Sequence, residues 1–308
     1  DPVKRDAIYK RGFRSEVGPD YYSFNLGEVH YVVLDNTQAQ NLYSVDSAQI
    51  AWMRKDLEYV PKDKPLVVMM HVMPFYLDPG VDSLRTQLTL ADQALMTAGN
   101  RTYGPQTGIN EPRPYSVQMN SDEILEAVSG FKKVHILSGH RHNGENVEIG
   151  GNVFSHNITS VSAVSWKIND LDVPITCDDG SPAGYQIFKV SGDSISWQFK
   201  ACDAPADQSQ CRLYDLDKVP QEYGGEPGGH ALLLNVFNWD PGWKVRILED
   251  GKDLEVEQVW AKDPLYTMIR TESKLRQKEQ KKAEGPHGKQ SVKQLLRHSN
   301  GLKQVPVH

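Results

Sequence analysis

Cysteine is scarce in this chain: 308 residues contain three, Cys177, Cys202 and Cys211. No two of them have the two-residue spacing of a zinc ribbon or a redox dithiol, so neither is expected. Cys202 and Cys211, the nearest pair, are spaced to bridge a short polar loop if the protein is exported; the alternative is three free thiols. Long apolar runs are missing too. None approaches the ~20 residues that a membrane-crossing helix needs, so no membrane span is expected. Positive charge is also in deficit, with a net charge of −6. Basic residues gather between Lys274 and Lys303, but Glu279 and Glu284 interrupt them and no aromatic residue is there to stack on bases. Nucleic acid is therefore not expected as a partner. The run Gly224 to Gly229 lacks the preceding strand, the following helix and the Lys-Ser/Thr pair of a phosphate loop, and reads as linker.

The chain does have the composition of a soluble globular protein, 39% hydrophobic and 24% charged, in a length that suits one large domain and a smaller one. With Asp1 rather than Met first, and Gln304 to His308 reading as an unfinished strand, both ends look cut.

Strand and helix patterns alternate through the first half. Tyr21 to Leu26 and His30 to Asn36 bracket a turn at Gly27 and read as two antiparallel strands. Asp46 is placed to cap a helix, with Gln49 as its capping-box partner. Ile50, Met53, Leu57 and Val60 then share one face before Pro61. Pro65 to Met70 reads as a strand buried on both faces, and it stops at His71. Residues 78–114 read as an insertion or lid, with a helix near Leu84 to Ala98. A second capped helix is expected from about Ser121 to Ser129. Lys133 to Gly139 is another buried strand, and it stops at His140.

After His142 short strand patterns take over: Asn146 to Ile149, Asn152 to Ser155, Tyr185 to Val190 and Ser194 to Lys200. Residues 201–229 read as a linker. Beyond it, Ala231 to Phe237, Trp243 to Leu248 and Glu255 to Trp260 read as strands of a small β-sandwich, with Glu249-Asp250-Gly251-Lys252 as a hairpin turn. Glu272 to Ala283 reads as a charged, solvated stretch with helical potential.

Ligands of α/β sheets bind at the carboxyl ends of strands, so His71, His140 and His142 are candidates for one site. Taken as extended backbone, Gly139-His140-Arg141-His142 points both imidazoles one way and Arg141 the other, with Gly139 permitting a sharp turn. An isolated histidine is ordinarily a hydrogen-bonded core or surface residue. His30, His135, His156, His230 and His287 keep that reading, whereas two strand ends and a Gly-His-X-His together favour a shared site.

Val67-Val68-Met69-Met70-His71 followed by Ser138-Gly139-His140-Arg141-His142 resembles the last two metal motifs of calcineurin-like metallophosphoesterases. Gly18 to Phe24, the His30 to Asn36 strand and Gln49-Ile50-Ala51-Trp52 are similar to the text around those motifs. Ser181 to Tyr185 and Ser196 to Lys200 resemble the end of the catalytic domain in one bacterial subgroup. The subgroup's added C-terminal β-domain is similar to Asn235 to Val245 and Glu249 to Lys252.

The resemblance implies an α/β fold: a calcineurin-like β-sandwich flanked by helices, its N-terminal half absent, plus a small C-terminal all-β domain. The corresponding division is 1–200, a linker 201–229, and 230–308. It implies a phosphate-ester substrate and two divalent or trivalent ions, Mn, Fe or Zn, with His71 and His140 on one ion and His142 on the other. The family's earlier motifs, Asp-X-His, Gly-Asp-X-X-Asp and Gly-Asn-His-Asp/Glu, do not occur in this sequence, so the catalytic residues are expected upstream of Asp1 and the site here is incomplete. Asp35 is the one carboxylate weighed as a substitute ligand, and the family gives it no such role. Arg141 is a candidate phosphate contact or an outer-face ion pair, and Trp166 a candidate pocket wall or core aromatic. Two other readings stand beside the enzyme: a non-catalytic carbohydrate- or protein-binding module on a degenerate esterase fold, and a mononuclear histidine-site metal protein.

Overall fold

In the computed structural model, the described residues are 2–38, 44–77, 87–88, 115–117, 121–149, 151–163, 176–240, 242–259 and 261–284. Helix α1 (Pro2–Glu16) opens the chain. A hairpin, β1 (Tyr22–Leu26) and β2 (Val29–Val33), leads to α2 (Ser47–Leu57) and β3 (Leu66–Val72). Short strands β4 (Phe75–Leu77), β5 (Gln87–Leu88) and β6 (Tyr115–Val117) precede α3 (Ser121–Val128) and β7 (Val134–Gly139). There follow β8 (Glu145–Ile149), β9 (Val153–Asn157), and the hairpin of β10 (Gly184–Ser191) and β11 (Ser194–Ala201). The rest is β12 (Cys211–Asp215), β13 (Leu232–Val236), β14 (Ile247–Glu249), β15 (Lys252–Leu254) and α4 (Pro264–Glu284).

The main sheet has seven strands in the order β1-β2-β3-β7-β9-β8-β5. Its centre, β2, β3, β7 and β9, is parallel. Parallel neighbours need crossovers, and α2 and α3 supply two of them. The helices bury one face: Val32, Leu34, Leu66, Val68, Met70, Val134 and Ile136 meet Ile50, Met53, Leu57, Ile124, Val128 and Phe131. Alternate residues of the same strands, Val29, Tyr31, Val67, Met69 and Leu137, face Phe188 and Ile195 of the β10–β11 hairpin. Both faces are thus covered, which is why β3 and β7 read as continuous apolar runs.

The caps and turns follow their residues. Asp46 Oδ1 accepts from Gln49 N at 2.9 Å, and Gln49 Nε2 donates back to Asp46 Oδ2 at 2.8 Å. In the β14–β15 turn, Asp250 and Gly251 have φ of 49° and 79°, the left-handed pair that a tight two-residue hairpin turn needs.

Other expectations are corrected. α1 was not foreseen; its charged sequence gives little apolar period, and Arg14 binding Asp20 through two bonds (2.9 and 2.7 Å) anchors its end. Within the stretch read as linker, β12 pairs antiparallel with β13. No strand forms over 255–259, and the 243–248 strand contracts to β14. The C-terminal part is not all-β, because α4 is 21 residues long. It begins before the charged stretch, where Asp263 Oδ1 accepts from Tyr266 N at 2.9 Å and Pro264 occupies the first helical position. The helix expected near Leu84 to Ala98 falls outside the described residues except at 87–88, which pair with β8 as a strand. Cys177, Cys202 and Cys211 are all free thiols.

One buried polar chain crosses the face beneath the β10–β11 hairpin. Asn146 Nδ2 donates to Asn238 O (3.1 Å) and Trp239 O (3.0 Å), so its Oδ1 accepts from His156 Nδ1 at 2.7 Å. His156 Nε2 is then an acceptor, and His135 Nδ1 donates to it at 2.9 Å. Trp197 packs edge-on against both rings. Burial, then the neighbouring His135, pushes His156 down to about 3; burial, then Lys133, pushes His135 down to about 4.

Both folded-state values lie below the ordinary 6.5, so protons bind the unfolded chain more readily. These two groups therefore contribute stability that is fully present above pH 6.5 and is lost as pH drops toward 4, by roughly 2–3 kcal/mol per pH unit, offset in part by Asp178, whose carboxyl is raised by burial to about 6. Urea unfolding at pH 8, 6 and 5 reads this, and His135→Phe is expected to flatten the slope. The same pH slope in the wild-type chain and in His135→Phe would contradict it.

Candidate functional site

The parallel register sets the ends of β3 and β7 side by side, with Met69 opposite Leu137 and Val72 opposite Gly139. Between Met69 and Val72 the register shifts in a bulge, and bulges of this kind re-aim side chains at strand ends. His71 lies in that bulge. Asn36 fixes it from the other side: Nδ2 donates to Val72 O at 2.7 Å, and Oδ1 accepts from Val72 N at 3.0 Å. Asn36 thereby continues the ladder beyond the end of β2 and pins the backbone next to His71.

His71 Nε2 and His140 Nδ1 are 3.2 Å apart, with the rings edge to face. Two nitrogens each about 2.0–2.1 Å from one ion lie roughly 2.9–3.4 Å apart at right-angled to tetrahedral bond angles. The observed spacing is within that range. His140 titrates below the ordinary histidine value because of burial first, then the charges of His71 and His142, so its neutral, ligand-competent form is favoured.

His142 is held differently. Its Nδ1 is 2.6 Å from Ala163 O; a carbonyl only accepts, so Nδ1 carries the proton and Nε2 presents a lone pair. Backbone-carbonyl tethering of one ring nitrogen is how ligand histidines are commonly oriented.

The extended geometry expected for this loop is not what forms. His140 and His142 both have left-handed backbone, φ 79° and 60°, a conformation that costs non-glycine residues on the order of 1 kcal/mol each. Nor does Gly139 make the turn, since a Cβ there would meet His71 O and Ile158 O at an ordinary 3.9 Å. The loop is pinned instead by its partners. Asn157 Nδ2 donates to Asn143 O at 2.8 Å, and Gly144 N donates to Asp179 Oδ2 at 2.7 Å.

Among the other candidates, Arg141 is half-buried; burial, then Asp179, raises the Asp178 carboxyl to about 6, and the Arg141 charge offsets part of that rise. Asp35 is engaged by Lys10 at 2.5 Å and by Thr37. Trp166 lies outside the described residues. Among the described residues, no three His, Cys, Asp or Glu side chains converge closely enough to hold a metal. His71 and His140 therefore fit a partial, two-nitrogen ligand set rather than a complete centre.

Fold and site together define a mixed α/β protein with imidazoles gathered at the carboxyl ends of adjacent parallel strands. Residues 155–299 match the family described as C terminal of Calcineurin-like phosphoesterase, consistent with a C-terminal part of such a protein. The matched stretch starts after all three site histidines. The match points to the phosphoesterase superfamily, whose calcineurin-like members usually use metals. No curated protein matches the chain.

The tautomer of His142 is directly measurable. At pH 8, imidazole 15N spectra of the metal-free chain are expected to show His142 protonated at Nδ1. A predominant Nε2–H form would contradict the Ala163 contact.

Proposed function

We propose that this chain contributes imidazole ligands to a metal-dependent phosphoesterase centre acting on phosphate mono- or diesters. The observation that carries the reading is the 3.2 Å approach of His71 Nε2 to His140 Nδ1 at neighbouring strand ends. The tethered His142 supports it, because the Ala163 contact leaves Nε2 as its lone-pair nitrogen, although His142 does not converge with His71 and His140 into a three-ligand group among the described residues. Nitrogen donors suit Mn, Fe or Zn better than Ca. Such ions, when bound, activate water and offset charge on phosphoryl oxygens.

The chain's own residues do part of that work. Asn36 and the β3 bulge hold His71, and Asn157 holds the loop that carries His140 and His142. Arg141, whose positive charge acts on the Asp178 carboxyl, is the residue that would turn toward a phosphate. The three imidazoles are neutral, however, and two cations about 3.5–4 Å apart require an anionic bridge to offset their repulsion. In the proposed enzyme that bridge comes from outside the three-histidine set, so these three residues alone do not make the centre. A second reading, a mononuclear histidine site, is favoured by the same pairing and is separated from the first by turnover in the completed centre.

The test combines titration calorimetry with Mn, Fe or Zn and hydrolysis of aryl phosphate monoesters and diesters. The 308-residue chain is expected to bind one ion weakly and to show little or no turnover, and His140→Ala is expected to lower ion affinity by at least tenfold. Ion binding indifferent to His71→Ala and His140→Ala would sink the site. Robust turnover abolished by His140→Ala would show that the anionic ligands lie within this chain after all.

A further inference from the structure

The loop of residues 177–181 sits between the histidine loop and the C-terminal elements, and its bonds run in both directions. Toward the site, Asp179 Oδ2 accepts from Gly144 N at 2.7 Å, two residues beyond His142. On itself, Asp179 Oδ1 accepts from Ser181 N at 2.9 Å and Ser181 Oγ at 2.6 Å. Away from the site, Asn235 Nδ2 of β13 donates to Asp179 O and to Asp263 Oδ2, both at 2.8 Å. Asp263 caps α4 through Tyr266 N (2.9 Å) and also accepts from Tyr214 OH of β12 at 2.7 Å. Packing closes the same junction. A Cβ on Gly144 would come within 2.9 to 3.1 Å of Asn238, and one on Gly180 within 2.1 Å of Asp263.

The left-handed backbone at His142 makes this junction consequential. Such conformations persist in non-glycine residues only where the surroundings over-determine them. Here the carbonyl of Asn143 and the amide of Gly144 are both fixed, the second by Asp179. We propose that Asp179 is the positioning residue of the His140–His142 loop, and that through Asn235 and Asp263 the β12–β13 pair and helix α4 act on the histidine site rather than forming an independent module. This rests on the histidine site proposed above, but it concerns how that site is held.

Asp179→Asn tests it with little change of volume. The amide keeps an oxygen for Ser181 and turns its NH2 toward the Gly144 N–H, so the single bond to the loop is lost. In the full chain, hydrogen exchange of the Gly144 amide is expected to accelerate at least about tenfold, and the His142 imidazole 15N signals to shift. Zn2+ affinity is expected to fall about tenfold or more, while the thermal midpoint moves little. Asn235→Ala, which acts from the far side of the loop, is expected to shift the same signals in the same direction. Exchange and imidazole signals unchanged in both variants would overturn the proposal. If the wild-type chain takes up no Zn2+ while those signals still move, the metal reading fails and the positioning stands.

Discussion

Two imidazole nitrogens 3.2 Å apart are the arrangement on which the rest of this structure bears. That distance is an ordinary N–H···N hydrogen bond between neutral rings and equally spans two nitrogens on one ion, and it is reached because β3 and β7 are parallel neighbours. An antiparallel pairing would send one histidine to the opposite end of the sheet. The continuous apolar runs that bury β3 and β7 on both faces thus belong to the same parallel pairing that aligns the two strand ends.

The strands bring the rings to one edge, and polar side chains then fix their aim. Asn36 supplies two bonds to Val72 where the β2 ladder has run out. Asn157 and Asp179 hold the loop in a conformation that His140 and His142 do not favour by themselves. On the far side of the sheet face, His135, His156 and Asn146 link the strands to Asn238 and Trp239. The C-terminal segment thus touches the sheet at two polar junctions, one buried under the hairpin and one beside the histidine loop.

Much of the frame was legible in the sequence because local chemistry and tertiary packing agree there. Asp46 caps the helix as its position implies, with the Gln49 side chain bonded to Asp46 Oδ2 and the Asp35 backbone instead of the Asp46 N–H, and Asp250-Gly251 makes the hairpin turn. The strand ends at His71 and His140 were visible as abrupt stops of apolar runs. The backbone of the histidine loop was not, since left-handed φ at a non-glycine residue leaves no local signal and depends on partners such as Asp179, 35 residues further along the chain. α1 was missed because its faces carry no apolar period. α4 was misplaced although Asp263-Pro264 is a cap and first-turn signal, and β12 was hidden in a polar stretch whose partner strand lies beyond a glycine-rich turn.

X-ray absorption at the metal edge of the Zn2+- or Co2+-loaded chain addresses the histidine pairing most directly. Imidazole scattering from at least two nitrogens at about 2.0–2.1 Å is expected, reduced in His71→Ala and in His140→Ala. A shell of oxygens alone, or an imidazole signal that neither substitution changes, would contradict a shared ligand site at the ends of β3 and β7.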